Sequence, residues 1–391
     1  MYGISFRYIS YLCAQFSDIN NMKRAILSVT NDLYTDARVD KVAQFLTRNG
    51  YDVTLVGRCY GDSPTLAPRL YKTERMRLLF RKGSVFYAEF NIRLLFHLLF
   101  KRCDVLIAND LDTLLPNYIV SKLRRKRLVY DSHEYFCGEL SVVSKPSSYK
   151  VWHSIEKFCF PKLKTVITVS QSIVDQYEKE YGIRPYLVRN IPPAGTPPVT
   201  ETKASLGMPD NKFVLLLQGN GINEGRGGEE LVQAMQFLPD AHLFIVGNGH
   251  ALPQLKAMTH QLKLEDRITF VPRQTQAKLF NYTALADVGM ALDRDVSANL
   301  RFSLPNKIFE YIKAGTPQIV SNLVERAAIV NHYKVGVVTE ELTPEAIADA
   351  VKRLQSDPEL YAQCKANCIP AAQALTWENE ELVLQQIYLG K

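Results

Sequence analysis

The sequence lacks the long apolar runs of integral membrane proteins. No uninterrupted apolar stretch approaches the roughly 20 residues that a helix needs to cross a bilayer. The first 21 residues contain neither a compact apolar core nor a small-residue cleavage site, so they are a poor match to a secretory signal. A first strand pattern begins instead after Met22. We therefore expect a globular, cytoplasmic protein whose residues 1–21 form an extension outside the fold.

The sequence also lacks an even or clustered set of cysteines. Its seven cysteines are scattered, which argues against a disulfide framework and for a reducing compartment. Cys364 and Cys368 have the i, i+4 spacing of one helix face, but no histidine or second cysteine pair nearby completes a metal site. No other metal motif is present. We expect no bound metal and no cofactor.

Apolar runs of strand length alternate with longer helical patterns in both halves of the chain. Its 391 residues are too many for one ordinary core and suit two domains of roughly 150 to 200 residues. Buried strands that alternate with helices predict parallel β-α-β units. The runs are RAILSVT, YDVTLVGR, CDVLIAND, RLVYDSHE and TVITVSQS in the first half, and KFVLLLQGN, AHLFIVGNG, RITFVPR, ADVGMALD and TPQIVSN in the second.

A proline-rich segment separates the two halves. Five prolines lie between Asn190 and Asn211, a composition that neither a helix nor a central strand can continue. The predicted fold class is α/β, with two Rossmann-like domains facing each other across a cleft, because open α/β sheets bind ligands outside the carboxyl ends of their strands. We expect an N-terminal domain over residues 22–190, a linker over 191–211, a C-terminal domain over 212–370 and a final segment over 371–391.

A glycine-rich loop follows the first strand pattern of the second half, in LLLQGNGINEGRGGEELVQAM. Its glycines let backbone amides approach an anion, and Arg226 offers two parallel donors to phosphate oxygens. The loop lacks the Gly-Lys-Ser/Thr ending of a Walker loop and does not fit the dinucleotide fingerprint cleanly. We predict a phosphate site that includes Gly219, Asn220 and Arg226. A flexible surface loop is the alternative.

The stretch SLPNKIFEYIKAGTP predicts a short helix that begins at Pro305 or Asn306. Its apolar residues share one side, so Glu310 lies on a polar face that contact with solvent alone would explain. Glu310 would also lie about 6 to 8 Å along the axis from the amide end that attracts a phosphate. A carboxylate at that distance can accept two hydrogen bonds from a neutral diol such as a ribose. Phosphate at Arg226 and ribose at Glu310 together describe a bound nucleotide.

Polar residues also end two strand patterns of the first half. LVYDSHE places Asp131, His133 and Glu134 at the edge where such sheets bind ligands. His133 is therefore a candidate site residue, although a single histidine is more often structural. In IANDLDTLLP, the carboxylates of Asp110 and Asp112 suggest a metal, but capping of the following helix explains Asp112 more simply. We favour the cap.

Taken together, the order and spacing of these motifs resemble the retaining glycosyltransferases of family 4, which have the GT-B fold. The resemblance runs from about Met22 to the end of the chain. It rests on NDLYTDARVDKVAQFLTRNGYDVTLV, LVYDSHE, TVSQSI, VRNIPP, GRGGEELVQAM, VGNG and LPNKIFEYIKAGTP. No single motif is decisive, and the conclusion depends on their succession across two domains.

The resemblance implies that the second domain binds a nucleotide diphosphate sugar. Arg226 would lie at the diphosphate, Glu310 at the ribose and His133 near the donor sugar, while the first domain would form the acceptor pocket. The implied donor-binding residues are Gly219, Asn220, Arg226, Val271, Arg273, Pro305, Asn306, Lys307 and Glu310. The stretch from Val271 to Arg273 would hold the base. The final segment would cross back to the first domain through Trp377.

One position departs from the family pattern. The first glutamate of the usual Glu-x7-Glu pair would lie eight residues before Glu310, where this chain has Phe302. We therefore assign no nucleophile. The mechanism that we expect retains the anomeric configuration, with Arg226, Lys307 and helix amides stabilising the leaving diphosphate and with His133 as the third catalytic residue. The leaving phosphate itself would take the proton of the acceptor.

Positive charge is concentrated in the first half of the chain. Residues 1–190 carry 29 Lys and Arg against 18 Asp and Glu, whereas the remainder carries 18 against 22. The segment 75–102 joins a strongly apolar, aromatic helix pattern to basic residues at both ends, and the basic stretch 122–127 follows. Such a helix can lie on an anionic membrane at the inner face, where a lipid-linked acceptor would be found. A core helix with solvated ends is the equally physical alternative.

Two other function classes remain open from the sequence. A nucleotide-sugar 2-epimerase of the same architecture would concentrate carboxylates and histidines in its cleft, where Asp131, His133, Glu134 and Glu310 are the evident candidates. A non-catalytic nucleotide-binding scaffold of a polysaccharide assembly complex would tolerate Phe302. We expect no nucleic-acid partner, because the basic surplus is not accompanied by a recognition motif with interleaved aromatic residues. The expected partners are a nucleotide-sugar donor and a glycan or lipid-linked acceptor.

Overall fold

The computed structural model of the protein describes residues 22–34 and 36–390. The expected extension, residues 1–21, lies outside the described residues. The chain divides into two compact units. The first unit comprises the described residues up to Cys137, Ser141–Thr168 and Val174–Leu187. The second unit comprises Gly138–Leu140, Val169–Ile173 and the described residues from Val188 onward.

The first unit contains a seven-stranded sheet in which every strand pair is parallel. The strands are β1 (Lys23–Ser28), β2 (Tyr51–Cys59), β3 (Lys72–Arg77), β4 (Val105–Asn109), β5 (Arg127–Asp131), β6 (Val166–Thr168) and β7 (Tyr186–Leu187). Their order across the sheet is β3-β2-β1-β4-β5-β6-β7. The helices in this part of the chain are α1 (Ala37–Arg48), α2 (Gly83–Phe100), α3 (Leu111–Leu123), α4 (Leu140–Val143), α5 (Pro146–Cys159) and α6 (Gln171–Tyr181).

The second unit contains a six-stranded parallel sheet. The strands are β8 (Phe213–Gly219), β9 (Ala241–Gly247), β10 (Ile268–Pro272), β11 (Val288–Ala291), β12 (Gln318–Ser321) and β13 (Gly336–Thr339), in the order β10-β9-β8-β11-β12-β13. The helices are α7 (Gly228–Ala234), α8 (Leu252–Gln261), α9 (Gln276–Leu285), α10 (Ala298–Phe302), α11 (Asn306–Ala314), α12 (Val324–Tyr333), α13 (Pro344–Ser356), α14 (Pro358–Ala374) and α15 (Trp377–Leu389).

The prediction of two Rossmann-like domains is confirmed. All ten strand-like runs of the sequence contain strands, and the central ones are buried on both faces, as helices on each side of a parallel sheet require. The sequence pattern missed β3, β7 and β13. β3 is a charged edge strand with the sequence KTERMR, and β7 has two residues, so neither presents an apolar run.

Sheet topology decides where ligands can bind in each unit. The strand order changes direction between β1 and β4 in the first unit, and between β8 and β11 in the second unit. Loops that leave the carboxyl ends of such neighbouring strands diverge and leave a crevice at the edge of the sheet. The segments that follow β4, β5, β8 and β11 contain most of the polar residues that the sequence singled out.

Hydrogen bonds join the C-terminal helix α15 to residues 189–194 of the second unit. The Trp377 amide donates to the carbonyl of Pro192 at 3.1 Å. The Glu380 carboxylate accepts from the Arg189 amide at 2.7 Å and from its Nε at 2.9 Å. The Glu378 carboxylate accepts from the Ala194 amide at 2.8 Å. Cutting residues 371–391 would therefore expose buried polar partners as well as apolar side chains.

Three further features bear on the sequence predictions. No helix within residues 22–34 and 36–390 is both long and apolar enough to cross a membrane. Cys364 and Cys368 are buried on α14, and the Cys368 thiol donates to the carbonyl of Cys364 at 3.3 Å. The apolar helix predicted within segment 75–102 is α2, which begins at Gly83 and has Lys82 directly before it and Lys101 directly after it, while Arg75 and Arg77 belong to β3.

Candidate functional site

Three cations surround one buried carboxylate at the carboxyl edge of the second sheet. Asp293 follows β11 and is 1% exposed. Arg326, on α12, is fully buried and pairs with Asp293, with 2.6 Å between Nη2 and Oδ2. Arg226, from the glycine-rich loop, reaches the same oxygen at 3.5 Å and keeps a third of its side chain exposed. Lys307, in the first turn of α11, completes the group.

The protonation of these groups follows from burial and mutual charge. Burial alone would raise the pKa of Asp293, but Arg326, Lys307 and Arg226 hold that pKa below its ordinary value. Burial lowers the pKa of Lys307, and Asp293 opposes that effect. With Asp293 ionised and three cations around it, the cluster has a surplus of positive charge. An anionic ligand is the partner that would balance it.

Arg326 has unused hydrogen-bonding capacity in this cluster. Its Nη2 donates to Ser303 Oγ at 2.7 Å, in the loop just before α11. Within residues 22–34 and 36–390, its buried Nε and Nη1 have no hydrogen-bond partner. Arg326 therefore links Ser303, just before α11, to Asp293, just after β11.

Glu310 is anchored by a chain of side-chain hydrogen bonds. Gln218, at the end of β8, donates from Nε2 to Glu310 Oε2 at 2.6 Å. Thr283 on α9 donates from Oγ1 to Gln218 Oε1 at 2.7 Å, which fixes the orientation of the amide. As the helical pattern predicts, Ile308 and Ile312 on the opposite side of α11 are buried. Glu310 itself is half-buried, so this carboxylate is held in place rather than mobile on a solvated surface.

The glycine-rich loop is shaped by close backbone approaches. Gly227 has φ +74°, and a Cβ there would lie 1.8 Å from the carbonyl oxygen of Leu292, so a larger residue cannot fit. The Arg294 amide donates to the carbonyl of Gly225 at 2.8 Å, and the Asn248 amide to that of Gly219 at 3.1 Å. These contacts hold Arg226 beside Asp293. A freely flexible surface loop is inconsistent with this geometry.

The remaining predicted donor residues lie in three places. Pro305 is the N-cap of α11 with extended backbone, and Asn306 is exposed at the first helical position. Asn220 is exposed directly after β8. Val271 is half-buried in β10, and Arg273 is exposed directly after it. β10 is the edge strand, and β9 lies between it and β8.

In the first unit, His133 lies between two carboxylates. Its Nδ1 is 3.3 Å from Asp110 Oδ2, and its Nε2 is 3.6 Å from Asp131 Oδ2. Its backbone amide also donates to Asp110 Oδ1 at 2.7 Å. Burial would lower the pKa of His133, but Asp110 and Asp131 raise it to about 9. The two carboxylates therefore favour the protonated form of His133 at neutral pH, which suits hydrogen-bond donation better than general-base action.

A buried arginine supports this arrangement. Arg38 on α1 donates from Nη2 to Asp131 Oδ1 at 2.7 Å, and both side chains are at most 3% exposed. Burial opposes ionisation of Asp131, but Arg38 and His133 hold its pKa well below the ordinary range. Asp131 therefore remains ionised at every pH at which the protein would be studied. Its charge orients both of its cationic neighbours.

The predicted helix cap at Asp112 is wrong. The N-cap of α3 is Asp110, with φ 61°, and Asp112 is the second helical residue. The Asp112 carboxylate instead accepts from Thr30 Oγ1 at 2.6 Å. Burial raises the pKa of Asp112 to about 7. The local sequence resembles a helix cap, but the Asp112 carboxylate forms its hydrogen bond with Thr30, which lies 82 positions away in the chain.

Three residues of the second-unit site were missed from the sequence: Gln218, Asp293 and Arg326. Gln218 and Asp293 lie at the ends of strand patterns that were identified, so a search of every strand end for polar residues would have found them. Arg326 lies in an ordinary helical pattern, and no local signal marks it. Only the fold shows that it contacts Asp293.

One further group of potential metal ligands lies in the first unit. The ligand atoms of Cys137, His153 and Glu156 all lie within 4.8 Å of one another. Glu156 Oε1 already accepts from the Tyr181 hydroxyl at 2.7 Å, and burial raises the pKa of both the Cys137 thiol and Glu156. The Cys137 thiol would have to lose its proton to bind a metal ion.

Solved structures with the same fold confirm the α/β architecture. A sucrose-phosphate synthase from Thermosynechococcus elongatus superposes with a TM-score of 0.76 at 19% identity, covering 94% of this chain and 98% of that one. An Anabaena protein, HepE, in complex with UDP-glucose superposes with a TM-score of 0.74 at 17% identity, covering 93% and 99%. At these identities the likeness establishes the fold, GT-B, and nothing further.

Sequence comparisons identify the family. The chain is 29% identical over 170 residues to the lipopolysaccharide core biosynthesis glycosyltransferase LpsD of Rhizobium meliloti, over 44% of this chain and 46% of LpsD. The chain thus spans less than half the length of that relative. The family described as Glycosyltransferase Family 4 matches residues 37–194, and the family described as Glycosyl transferases group 1 matches residues 198–369. The chain therefore belongs to the family 4, group 1 glycosyltransferases.

Proposed function

We propose that the protein transfers a hexosyl group from a nucleotide diphosphate sugar to a glycan or lipid-linked acceptor, with retention of configuration, in cell-surface polysaccharide biosynthesis. The observation that carries the proposal is the pairing of a cationic cluster with an anchored carboxylate in the second unit. Arg226, Lys307 and Arg326 surround Asp293. Glu310 lies on the same helix as Lys307, and a hydrogen bond from Gln218 fixes its carboxylate. These are the complementary groups for a diphosphate and a diol.

The diphosphate would bind at the cationic cluster. Arg226 is partly exposed and offers a planar pair of donors, which suits bidentate contact with phosphate oxygens. Lys307 lies in the first turn of α11, where the backbone amides at the helix N-terminus can add donors. Asp293 and Arg326 are buried, so we do not expect the ligand to contact them. Their role would be to hold Arg226 and Lys307 in position.

The ribose would bind at Glu310. Glu310 is three positions after Lys307, which is about 4.5 Å along a helix axis, a spacing that suits a phosphate at the helix start and a sugar about one turn along. The hydrogen bond from Gln218 holds Oε2 in a fixed position, so the carboxylate loses little conformational entropy when a ribose binds. We propose the strand end at Val271 and Arg273 as the place of the base.

His133 would contact the donor sugar as a hydrogen-bond donor. Because Asp110 and Asp131 raise its pKa to about 9, the imidazolium form predominates at pH 7. A cation of this kind stabilises negative charge on a neighbouring oxygen and does not remove a proton. No carboxylate occupies position 302 to act on the sugar from the family's usual place.

The reaction then proceeds on one face of the sugar. The bond between the anomeric carbon and the diphosphate oxygen breaks, and the electron pair goes to the leaving diphosphate, where Arg226, Lys307 and the amides of α11 stabilise it. The acceptor hydroxyl forms a bond to the same carbon from the same face. Its proton passes to the leaving phosphate. We expect transfer without a metal ion, because cations of the chain take the role that a divalent ion has elsewhere.

The relatives support this class of donor and acceptor. LpsD is a glycosyltransferase of lipopolysaccharide core biosynthesis, and HepE, which has the same fold, was solved in complex with UDP-glucose. A glycan or lipid-linked acceptor at the cytoplasmic side is the corresponding proposal here.

Treatment with EDTA tests whether transfer is independent of a metal ion. Loss of activity that a divalent ion restores would contradict that expectation.

Product analysis tests the proposal. The purified protein is incubated with a panel of nucleotide sugars, with and without an extract of lipid-linked glycans, and the products are separated and examined by proton NMR. Acceptor-dependent transfer with an unchanged anomeric configuration is the expected result. Conversion of the nucleotide sugar without any acceptor would favour the epimerase, and nucleotide binding without turnover under every condition would favour the scaffold.

A further inference from the structure

Helix α2 has two apolar faces, and only one of them lies in the core of the first unit. Phe86, Phe90, Leu94 and Leu98 recur every four residues and are buried. A second stripe runs along the opposite side. It consists of Val85, Ile92, Phe96 and Phe100, whose side chains are 50%, 57%, 56% and 79% exposed. A surface helix of a globular domain needs only the first stripe. The second indicates an interaction surface.

The loop before α2 enlarges this surface. Leu79 and Phe80 are 76% and 48% exposed. Their backbone amides both donate to Glu89 Oε2 at 3.0 Å. Glu89 is the only carboxylate in the sequence of α2, and it also pairs with Arg93 at 2.9 Å. The one acidic group on the helix therefore holds two further apolar side chains next to the stripe, and its own charge is compensated.

Basic residues lie at both ends of the stripe. Lys82 precedes α2 and Arg102 follows it, and both are exposed. At the C-terminal end, Arg124 donates from Nη1 to the carbonyl of Leu98 at 2.7 Å. This contact brings the basic stretch 122–127 to the end of α2, together with Leu123, which is 69% exposed.

The acidic residues beside the helix do not cancel this charge. Glu74, on β3, pairs with Lys101 and lies 3.2 Å from His97 Nε2. Asp62 pairs with Arg81. At the other end of the helix, Asp104 lies 3.6 Å from Lys126 of the basic stretch. Each of these carboxylates is matched by a cation, while the exposed Lys82 and Arg102, with Lys122 and Arg125 of the basic stretch, remain in excess. The surface is thus an apolar stripe with a positively charged rim.

We propose that this stripe, with Leu79, Phe80 and Leu123, docks on an anionic lipid surface. The apolar side chains would enter the interface between head groups and acyl chains, and the cations of the rim would meet lipid phosphates. A second copy of the chain fits less well, because a two-fold contact through the stripe would bring the same basic rims together. The proposal concerns where the protein works, and it does not depend on the donor or on the reaction.

Vesicle sedimentation tests the proposal with the full chain. The wild type is compared with a Phe96→Gln/Phe100→Gln double variant, on vesicles of phosphatidylcholine with phosphatidylglycerol and on vesicles of phosphatidylcholine alone. Phe237→Gln is the matched control, because Phe237 is an exposed phenylalanine of the second unit. Both substitutions replace exposed side chains, so the folded state should persist, and circular dichroism and the Tm verify that.

The wild type and Phe237→Gln should bind the anionic vesicles, and the double variant should bind at least about tenfold more weakly. Binding should also fall when salt rises from about 50 to about 500 mM, as the rim cations are screened. Equal binding by wild type and double variant would overturn the proposal. So would absence of vesicle binding, or a wild-type dimer that the double substitution dissociates, since the stripe would then be an interface between copies.

Discussion

The two units of the molecule place opposite arrangements of charge at the ends of similar sheets. In the second unit, three cations surround Asp293 beyond β8 and β11. In the first unit, the carboxylates of Asp110 and Asp131 lie on either side of the His133 ring beyond β4 and β5. The strand order differs only by the extra strand at one edge.

This difference shows that the fold fixes the place of a site but not its ligand. A parallel sheet brings the residues after its strands to one edge in both units. The side chains then decide whether that edge attracts an anion or holds a cation. In the second unit the surplus charge suits a diphosphate. In the first unit the carboxylates keep an imidazole protonated, which suits hydrogen-bond donation to a neutral or anionic group.

The largest effect should come from breaking the buried ion pair of the second unit. Arg326→Met would leave Asp293 buried with less compensating charge, and removal of one partner of such a pair costs about 3–5 kcal/mol. The free energy of unfolding, measured with urea, gives the result. Arg353→Met at an exposed position of α13 is the matched control. A loss no larger than that of the control would show that Arg326 does not hold the site together.

The next prediction concerns Arg226, which is partly exposed, in contrast to the buried Arg326. Arg226→Ala should lower turnover about 100- to 1000-fold, because it removes a donor to the charge that develops on the leaving diphosphate. Its effect on the free energy of unfolding should be small, since Arg226 is one-third exposed. Arg353→Ala is the control for activity. Unchanged turnover in Arg226→Ala would show that the diphosphate does not bind at this cluster.

The charge balance of the first unit predicts a dependence of stability on pH. The pKa of His133 is about 9 in the folded protein and about 6.5 when unfolded, so folding favours the protonated form. This contribution, up to about 3 kcal/mol, is fully present below pH 6.5 and is lost as the pH rises through about 9. The difference in unfolding free energy between wild type and His133→Gln should shrink over that range. A difference that is constant with pH would mean that His133 is neutral between its two carboxylates.

The smallest effect concerns the support of Glu310. Gln218→Met removes the amide that fixes Glu310 Oε2, while Thr283 keeps its bond to the carbonyl of Leu279 at 2.9 Å. We expect affinity for a nucleoside diphosphate to fall about tenfold, or about 1.4 kcal/mol, through the positioning of Glu310. Affinity for inorganic pyrophosphate, which lacks a ribose, should stay the same. A parallel loss for both probes would instead indicate general damage to the site.

The sequence was most informative where a residue's role is set by its neighbours in the chain. Apolar strand runs, the helix at Asn306–Ala314 and the glycine-rich loop were all predictable from local pattern. The edge strand β3 was not, because an exposed strand with alternating charges has no apolar run. Asp112 and Arg326 were missed or misassigned for a different reason, since their partners Thr30 and Asp293 lie far away in the chain.

Glu310 should contact the ribose of a nucleotide whose phosphates lie at Arg226. Calorimetry can measure the binding of a panel of nucleoside diphosphates, their 2′-deoxy analogues and inorganic pyrophosphate to wild type, to Glu310→Gln and to the exposed control Glu341→Gln. Because glutamine keeps the shape of the side chain, the comparison isolates its charge.

Wild type and Glu341→Gln should bind one nucleoside diphosphate selectively and its 2′-deoxy analogue more weakly. In Glu310→Gln, the ribonucleotide should lose affinity and the preference over the deoxy analogue should shrink, while pyrophosphate binding does not weaken. If no nucleotide binds, or if Glu310→Gln discriminates between the two sugars as well as wild type does, Glu310 is not a ribose ligand and the proposed donor site is wrong.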